Sequence, residues 1–196
     1  MYDYNFQDKL DSSLAGSNAG FAVNAIKQLL PGCVSVAVAD DNLDRKGVDY
    51  VATLDGGRQV LIDHKTREAG AAQYWKTAPD GRKIPELAIE TWSVMPTSGS
   101  EGKRGWTLSN TAVTDYTLHT FAPGDTKSAY LLPFQSLRVA AWKHKDGWAK
   151  KYKVAHQYTN DARRGTWQSE CIFTPITDVL KAIAETMYTS LAYEPA

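Results

Sequence analysis

VDYVATLDGGRQVLIDHKT, residues Val48 to Thr66, decides how this chain is read. Two apolar runs flank Asp55-Gly56-Gly57-Arg58, whose glycines suit a tight hairpin turn, so Val48 to Leu54 and Gln59 to Thr66 are predicted to pair as antiparallel strands. Asp49 interrupts the first run, and Asp63 and Lys65 interrupt the second. Side chains alternate along a strand, so Leu61, Asp63 and Lys65 share one face while Val60, Ile62 and His64 share the other. Asp49 falls opposite Asp63 to Lys65. Two carboxylates and an ammonium therefore converge on one patch of a hairpin that otherwise has the composition of core.

An isolated exposed ion pair contributes only about 0 to 1 kcal/mol, so a plain surface salt bridge between Lys65 and either acid is the simplest account of the three charges. Two clustered carboxylates, however, repel one another unless positive charge lies between them, and hard oxygen donors favour Mg2+ or Mn2+. A lysine beside such an ion can hold the attacking water and stabilise charge on a pentacovalent phosphorane. That combination is the chemistry of phosphodiester hydrolysis.

Around the hairpin the pattern alternates between helix and strand. Ser17 to Leu30 places Phe21, Ala22, Ala25, Ile26 and Leu29 on one helical stripe ended by Pro31-Gly32. Cys33 to Ala39 reads as a strand, and DDNLDRKG as a polar connection. Arg67 to Ala78 reads as a short helix or loop, Pro85 to Val94 as a strand, and Met95 to Gly105 as an exposed loop. Tyr116 to Phe121 and Ser128 to Leu132 are expected strands joined by the turn Ala122 to Asp125. Pro133 to Trp142 follows as a helix carrying Leu137, Val139 and Ala140. Thr166 to Phe173 is a last strand, and Thr177 to Leu191 a helix with Val179, Leu180, Ile183 and Met187 inward. The class is mixed α/β.

The run G-V-D-Y at Gly47 to Tyr50, followed by I-D-H-K at Ile62 to Lys65, resembles the PD-(D/E)xK nuclease superfamily. The resemblance implies a restriction-endonuclease-like mixed central sheet flanked by helices, built on a helix-strand-strand-strand-helix-strand core. It implies a Mg2+- or Mn2+-dependent enzyme that hydrolyses DNA phosphodiester bonds. Asp49, Asp63 and Lys65 would be catalytic, with Asp49, Asp63 and the backbone carbonyl of His64 as metal ligands. Val48 stands where the motif has proline, and the first helix offers Asn24 and Gln28 where many relatives place a glutamate. A catalytically inactive protein of the same fold, binding nucleic acid or a protein partner, is the rival reading.

Glu90, acidic among apolar neighbours, is either a further metal ligand or a paired surface carboxylate. The His64 imidazole is an auxiliary base or a ring hydrogen-bonded at the sheet margin. Formal net charge is zero, but it is unevenly spread. Lys143, Lys145, Lys150, Lys151, Lys153, Arg163 and Arg164 crowd one segment together with Trp142, Trp148, Tyr152 and Tyr158, which suits an added basic β-hairpin region that contacts a nucleic-acid backbone.

Hydrophobic residues make up 43% of the 196 and charged residues 22%, which fits a single domain over residues 1–196 with no membrane span. The start of the chain carries neither a basic segment nor an apolar signal core, so a cytoplasmic location is expected. Cys33 and Cys171 are expected to be buried free thiols. Enzymes that cut both strands of a duplex often act as dimers, so a homodimer using the terminal helix is a further arrangement the resemblance allows.

Overall fold

The computed structural model describes residues 16–67, 75–121, 127–161 and 165–191. The chain divides into two compact units, Met1–Ala71 with Ala112–Phe134, and Ala72–Thr111 with Gln135–Ala196. Both mix helices and strands, so the α/β class holds.

In the first unit the chain runs through helix α1 (Gly16–Leu29), strand β1 (Cys33–Val38), the short helix α2 (Asp41–Asp44), strand β2 (Tyr50–Leu54) and strand β3 (Gln59–Arg67). After a long excursion into the second unit it returns as β7 (Tyr116–Phe121) and β8 (Ser128–Pro133). The sheet order is β1-β2-β3-β7-β8, antiparallel throughout except that β3 and β7 are parallel. The predicted hairpin is present. Gly56 and Gly57 both take φ of 82°, a conformation only glycine enters cheaply, and Leu54 N–H donates to the Arg58 carbonyl at 2.8 Å across the turn.

The core of this unit packs Ala22, Ala25 and Ile26 of α1, and Leu30 just past it, against Tyr50, Ala52, Val60, Ile62 and Leu118. Burying side chains the size of Ile26, Ile62 or Leu118 stabilises the fold by roughly 1.5 to 3 kcal/mol each. Leu29, expected inward, is instead 45% exposed. Leu30 takes its place because its N–H still closes a helical turn on the Ile26 carbonyl. The polar connection before β2 is not all loop: Asp40 caps α2 by accepting from the N–H groups of Asn42 and Leu43 at 3.1 and 2.9 Å.

The second unit holds β4 (Trp75–Thr77), β5 (Lys83–Val94), β6 (Lys103–Arg104), helix α3 (Phe134–Lys151, entered from β8), β9 (Val154–Asp161), β10 (Gly165–Pro175) and helix α4 (Ile176–Leu191). Its sheet runs β4-β5-β10-β9, with β6 paired to β5. The expected single central sheet is therefore two. The reason is β5, which pairs along its length with β10, a partner some eighty residues later that no local pattern announces.

Other expectations shift in detail. Residues 67–78 supply strand β4 where described, and the loop after β5 includes β6. The turn expected at 122–125 lies outside the described residues. Val139, Leu180 and Met187 are 48, 41 and 49% exposed rather than inward, while Leu137, Ala140 and Ala141 of α3 and Ile176, Val179, Ala182 and Ile183 of α4 are buried. Cys33 and Cys171 are free thiols, half-buried rather than buried. Among the described residues no helix is long and apolar enough to cross a membrane.

Candidate metal and catalytic site

The register of the hairpin fixes which side chains can meet. Tyr50 lies opposite Ile62, so Asp49, one residue earlier, lies opposite Asp63, and its N–H donates to the Ile62 carbonyl at 2.9 Å. On the other side of β3, Asp63 is paired with Thr117 and Lys65 with His119. Tyr50, Ile62 and Leu118 face α1, so the alternating residues Asp49, Asp63, Lys65, Thr117 and His119 share the opposite face. The three residues of the expected site are brought together.

Lys65 Nζ donates to Asp63 Oδ1 at 2.7 Å. Asp63 is only 5% exposed, while 38% of the Lys65 side chain reaches solvent. Burial pushes the Asp63 carboxyl up to about 6; the Lys65 charge and hydrogen bond pull the other way, and Asp49, by charge and by a side-chain hydrogen bond, adds to the rise. Desolvation outweighs the ion pair here. In the absence of further positive charge Asp63 thus keeps its proton up to about pH 6.

Asp49 is oriented by the backbone. Its Oδ2 accepts the His64 N–H at 2.6 Å. Along a strand the N–H and C=O of one residue point to the same edge, so the His64 carbonyl is also directed to the Asp49 side, past the last paired residues of β2. The His64 imidazole is on the α1 face, where Nε2 is hydrogen-bonded to Thr120 Oγ1 at 2.8 Å and the ring sits 5.8 Å from that of Tyr50. Burial and the Lys65 charge lower its pKa against the pull of Asp49. What His64 offers the acid pair is its backbone, not its ring.

The sequence reading missed the β7 residues behind the site. His119 is 5% exposed and hydrogen-bonded to Thr117 Oγ1 at 3.2 Å. Burial drives its imidazole down to about 3, and the charges of Lys65, Arg67 and His64 push the same way, so it is neutral. Asp115 fixes the strand entry: its N–H donates to the Leu61 carbonyl at 2.9 Å and its carboxylate accepts the Leu61 N–H at 2.8 Å. Polar residues alternating with apolar ones in YTLHTF were the available signal.

The remaining expected residues belong to the second unit. The Glu90 carboxylate accepts from Trp106 N–H at 2.8 Å and from the Ser93 hydroxyl at 3.0 Å, so it anchors the turn Trp106–Leu108 after β6. Gly105 is tightly enclosed there: a Cβ on it would stand 2.2 Å from the Glu90 carbonyl oxygen. Lys143, Lys145, Lys150 and Lys151 ride on α3, not on a hairpin, and the described strand β9, VAHQYTND, carries no lysine or arginine. Lys151 is 2.9 Å from Asp178 Oδ2, which Tyr152 Oη also contacts, and Lys153 lies over the Phe173 ring. Arg163 and Arg164 lie outside the described residues.

The donor set suits one kind of ion. Among the described residues no three His, Cys, Asp or Glu side chains converge as an all-protein cage. An ion here would be held by the Asp49 and Asp63 carboxylates with the His64 carbonyl and would keep several waters, which is the habit of Mg2+.

No family model, curated protein or solved structure matches the chain.

Proposed function

We propose that the chain is a Mg2+- or Mn2+-dependent nuclease of the PD-(D/E)xK type that hydrolyses DNA phosphodiester bonds. The observation that carries the reading is the placement of Asp49, Asp63 and Lys65 on one sheet face, with Lys65 bonded to a buried Asp63 whose pKa is raised. A divalent ion, when bound, supplies the charge that polarises the phosphoryl oxygen. Asp49 and Asp63 would hold it, Asp49 oriented by the His64 N–H. Lys65, half in solvent, orients the water and stabilises negative charge as it develops on phosphorus.

The strand order adds support. Helix α1 followed by three consecutive strands agrees in order with the opening of the helix-strand-strand-strand-helix-strand core that the resemblance implies. The crossover departs from it, because the described part between β3 and β7 consists of strands β4 to β6 and a 3-10 turn where the core has a helix.

One observation favours the catalytically inactive reading: Lys65 already answers Asp63, and a backbone N–H already answers Asp49, so the cluster is satisfied as an ion pair. Plasmid nicking in Mg2+ separates the two. Nicking by the wild-type chain that disappears in Asp63→Asn and in Lys65→Ala is expected; nicking retained by both variants removes these residues from the mechanism, and none in the wild-type chain removes the enzyme.

A further inference from the structure

The sheet of the second unit carries one row of side chains across four strands. His156 of β9 lies opposite Glu170 of β10, Glu170 opposite Trp92 of β5, and Trp92 opposite Arg104 of β6. The Arg104 guanidinium stands 3.7 Å from the centroid of the Trp92 ring and 5.2 Å from that of Trp142 on α3. At the other end of the row Glu170 meets His156 Nε2 at 3.0 Å and accepts from the Thr91 hydroxyl at 2.6 Å. Two residues along β9 from His156, on the same face, Tyr158 is 72% exposed, and Trp142 is 43% exposed.

Cation–π packing by itself accounts for Arg104 between Trp92 and Trp142. It does not account for Tyr158, a large ring held in the solvent on a regular strand where it adds nothing to a core. Exposed rings on a β face with cations beside them suit a polyanion whose flat groups are unpaired: bases stack on the rings, and phosphates meet the cations. A duplex keeps its bases stacked on one another and would leave the rings idle. Arg104 is exposed on β6, on the face that carries Trp92. Two lysines of the basic segment are turned to other uses, Lys151 toward Asp178 and Lys153 over Phe173.

We propose that this face of the second unit binds single-stranded nucleic acid, with bases stacked on Tyr158 and Trp142 and a phosphate at Arg104. The binding is independent of the acid pair and of any divalent ion, so it is read in EDTA, where its failure leaves the hydrolytic reading untouched and the reverse also holds.

The test is fluorescence anisotropy with the full chain, a labelled mixed-sequence single strand of about 20 nucleotides as DNA and as RNA, and the corresponding duplexes. The single strand is expected to bind more tightly than the duplex. Tyr158→Ala is expected to weaken it by about 5- to 100-fold, the range for loss of one stacked base, while Tyr158→Phe, which keeps the ring, binds as wild type. Arg104→Lys, which keeps the charge but loses the planar stack, falls between. A duplex bound as tightly as the single strand, or Tyr158→Ala binding as wild type with an unchanged thermal melt, overturns the proposal.

Discussion

Lys65 and Asp63 are bonded at 2.7 Å, yet the Asp63 carboxyl sits above its ordinary pKa, raised from 3.8 to about 6. The ion pair would lower that value if it stood alone; burial, with Asp49 alongside, reverses the sign. The native state therefore favours the protonated acid. Stability from this group is fully present below pH about 4 and is lost as pH rises through about 6, at a cost near pH 8 on the order of 3 kcal/mol. Asp63→Asn removes the ionisation with little change of shape. Its melting temperature in EDTA is expected to exceed that of wild type at pH 8 and to approach it near pH 3.5. A variant less stable at both pH values would show that the carboxylate is held by interactions stronger than its desolvation.

Lys65→Met should act on the same group from the other side. Removing the ammonium removes the two influences that hold the Asp63 pKa down, so the acid should titrate higher still. NMR titration of the Asp63 carboxyl in the variant checks this, with an upward move as the expected outcome. Nicking in Mg2+ is expected to fall by roughly two or more orders of magnitude, the size of effect that follows from losing an electrostatic stabiliser.

The hairpin was legible because turn glycines, alternation and register act locally: Asp55-Gly56-Gly57-Arg58 fixes which residues of β2 and β3 oppose, and Asp49, Asp63 and Lys65 follow from parity alone. Asp115 and His119 were not, since their contribution depends on a parallel pairing of β3 with a strand some fifty residues later. The lysines of the basic segment were assigned to a hairpin because charge patterning does not distinguish an exposed helix from an exposed strand. Their alternation with Leu137, Ala140, Ala141 and Trp148, all buried, belongs to a helical face. Glu90 drew attention as an acid among apolar residues; its partners, Trp106 N–H and Ser93, lie across a turn whose shape the sequence does not disclose.

That turn supplies an independent check on the second unit. A Cβ at position 105 would fall 2.2 Å from the Glu90 carbonyl oxygen, a backbone atom that cannot swing aside. Gly105→Ala is expected to cost about 1 to 3 kcal/mol or more in denaturant unfolding. An exposed comparison, Gly147→Ala, meets nothing within 4 Å; it should be neutral or slightly stabilising because alanine is the better helix former. Equal effects at the two positions would place the Trp106–Leu108 turn elsewhere.

His119 should set the acid limit of stability. Its pKa is lowered to about 3 by burial, so the folded protein holds it neutral while the unfolded chain protonates it near 6.5. Stability from this group is present above pH about 6.5 and is lost as pH falls toward 3, on the order of 5 kcal/mol in all. Asp63 works in the opposite direction between pH 4 and 6, so the wild-type curve should be comparatively flat there and drop below it. His119→Gln, which retains a hydrogen-bonding side chain beside Thr117, should be destabilised less than wild type on going from pH 6.5 to 4, as read by urea midpoints across that range. An unchanged slope would mean that the buried ring is not the group that fails in acid.

Divalent-ion binding joins these threads. Below about pH 6 binding must displace the proton that Asp63 then holds, so affinity for Mn2+ should weaken as pH falls through about 6. At an ion concentration a hundred times the dissociation constant, binding adds about 2.7 kcal/mol to stability. The melting temperature of the wild-type chain is therefore expected to rise with Mn2+ at pH 8 and to rise much less at pH 5. Asp49→Asn keeps the oxygen that accepts the His64 N–H but loses one of the two negative charges, and it should lose most of that shift while melting normally without the ion. Calorimetric titration with Mn2+ gives the same quantities directly. Wild type and Asp49→Asn indistinguishable at pH 8 would leave the acid pair as an ion-paired hairpin with no cation to hold.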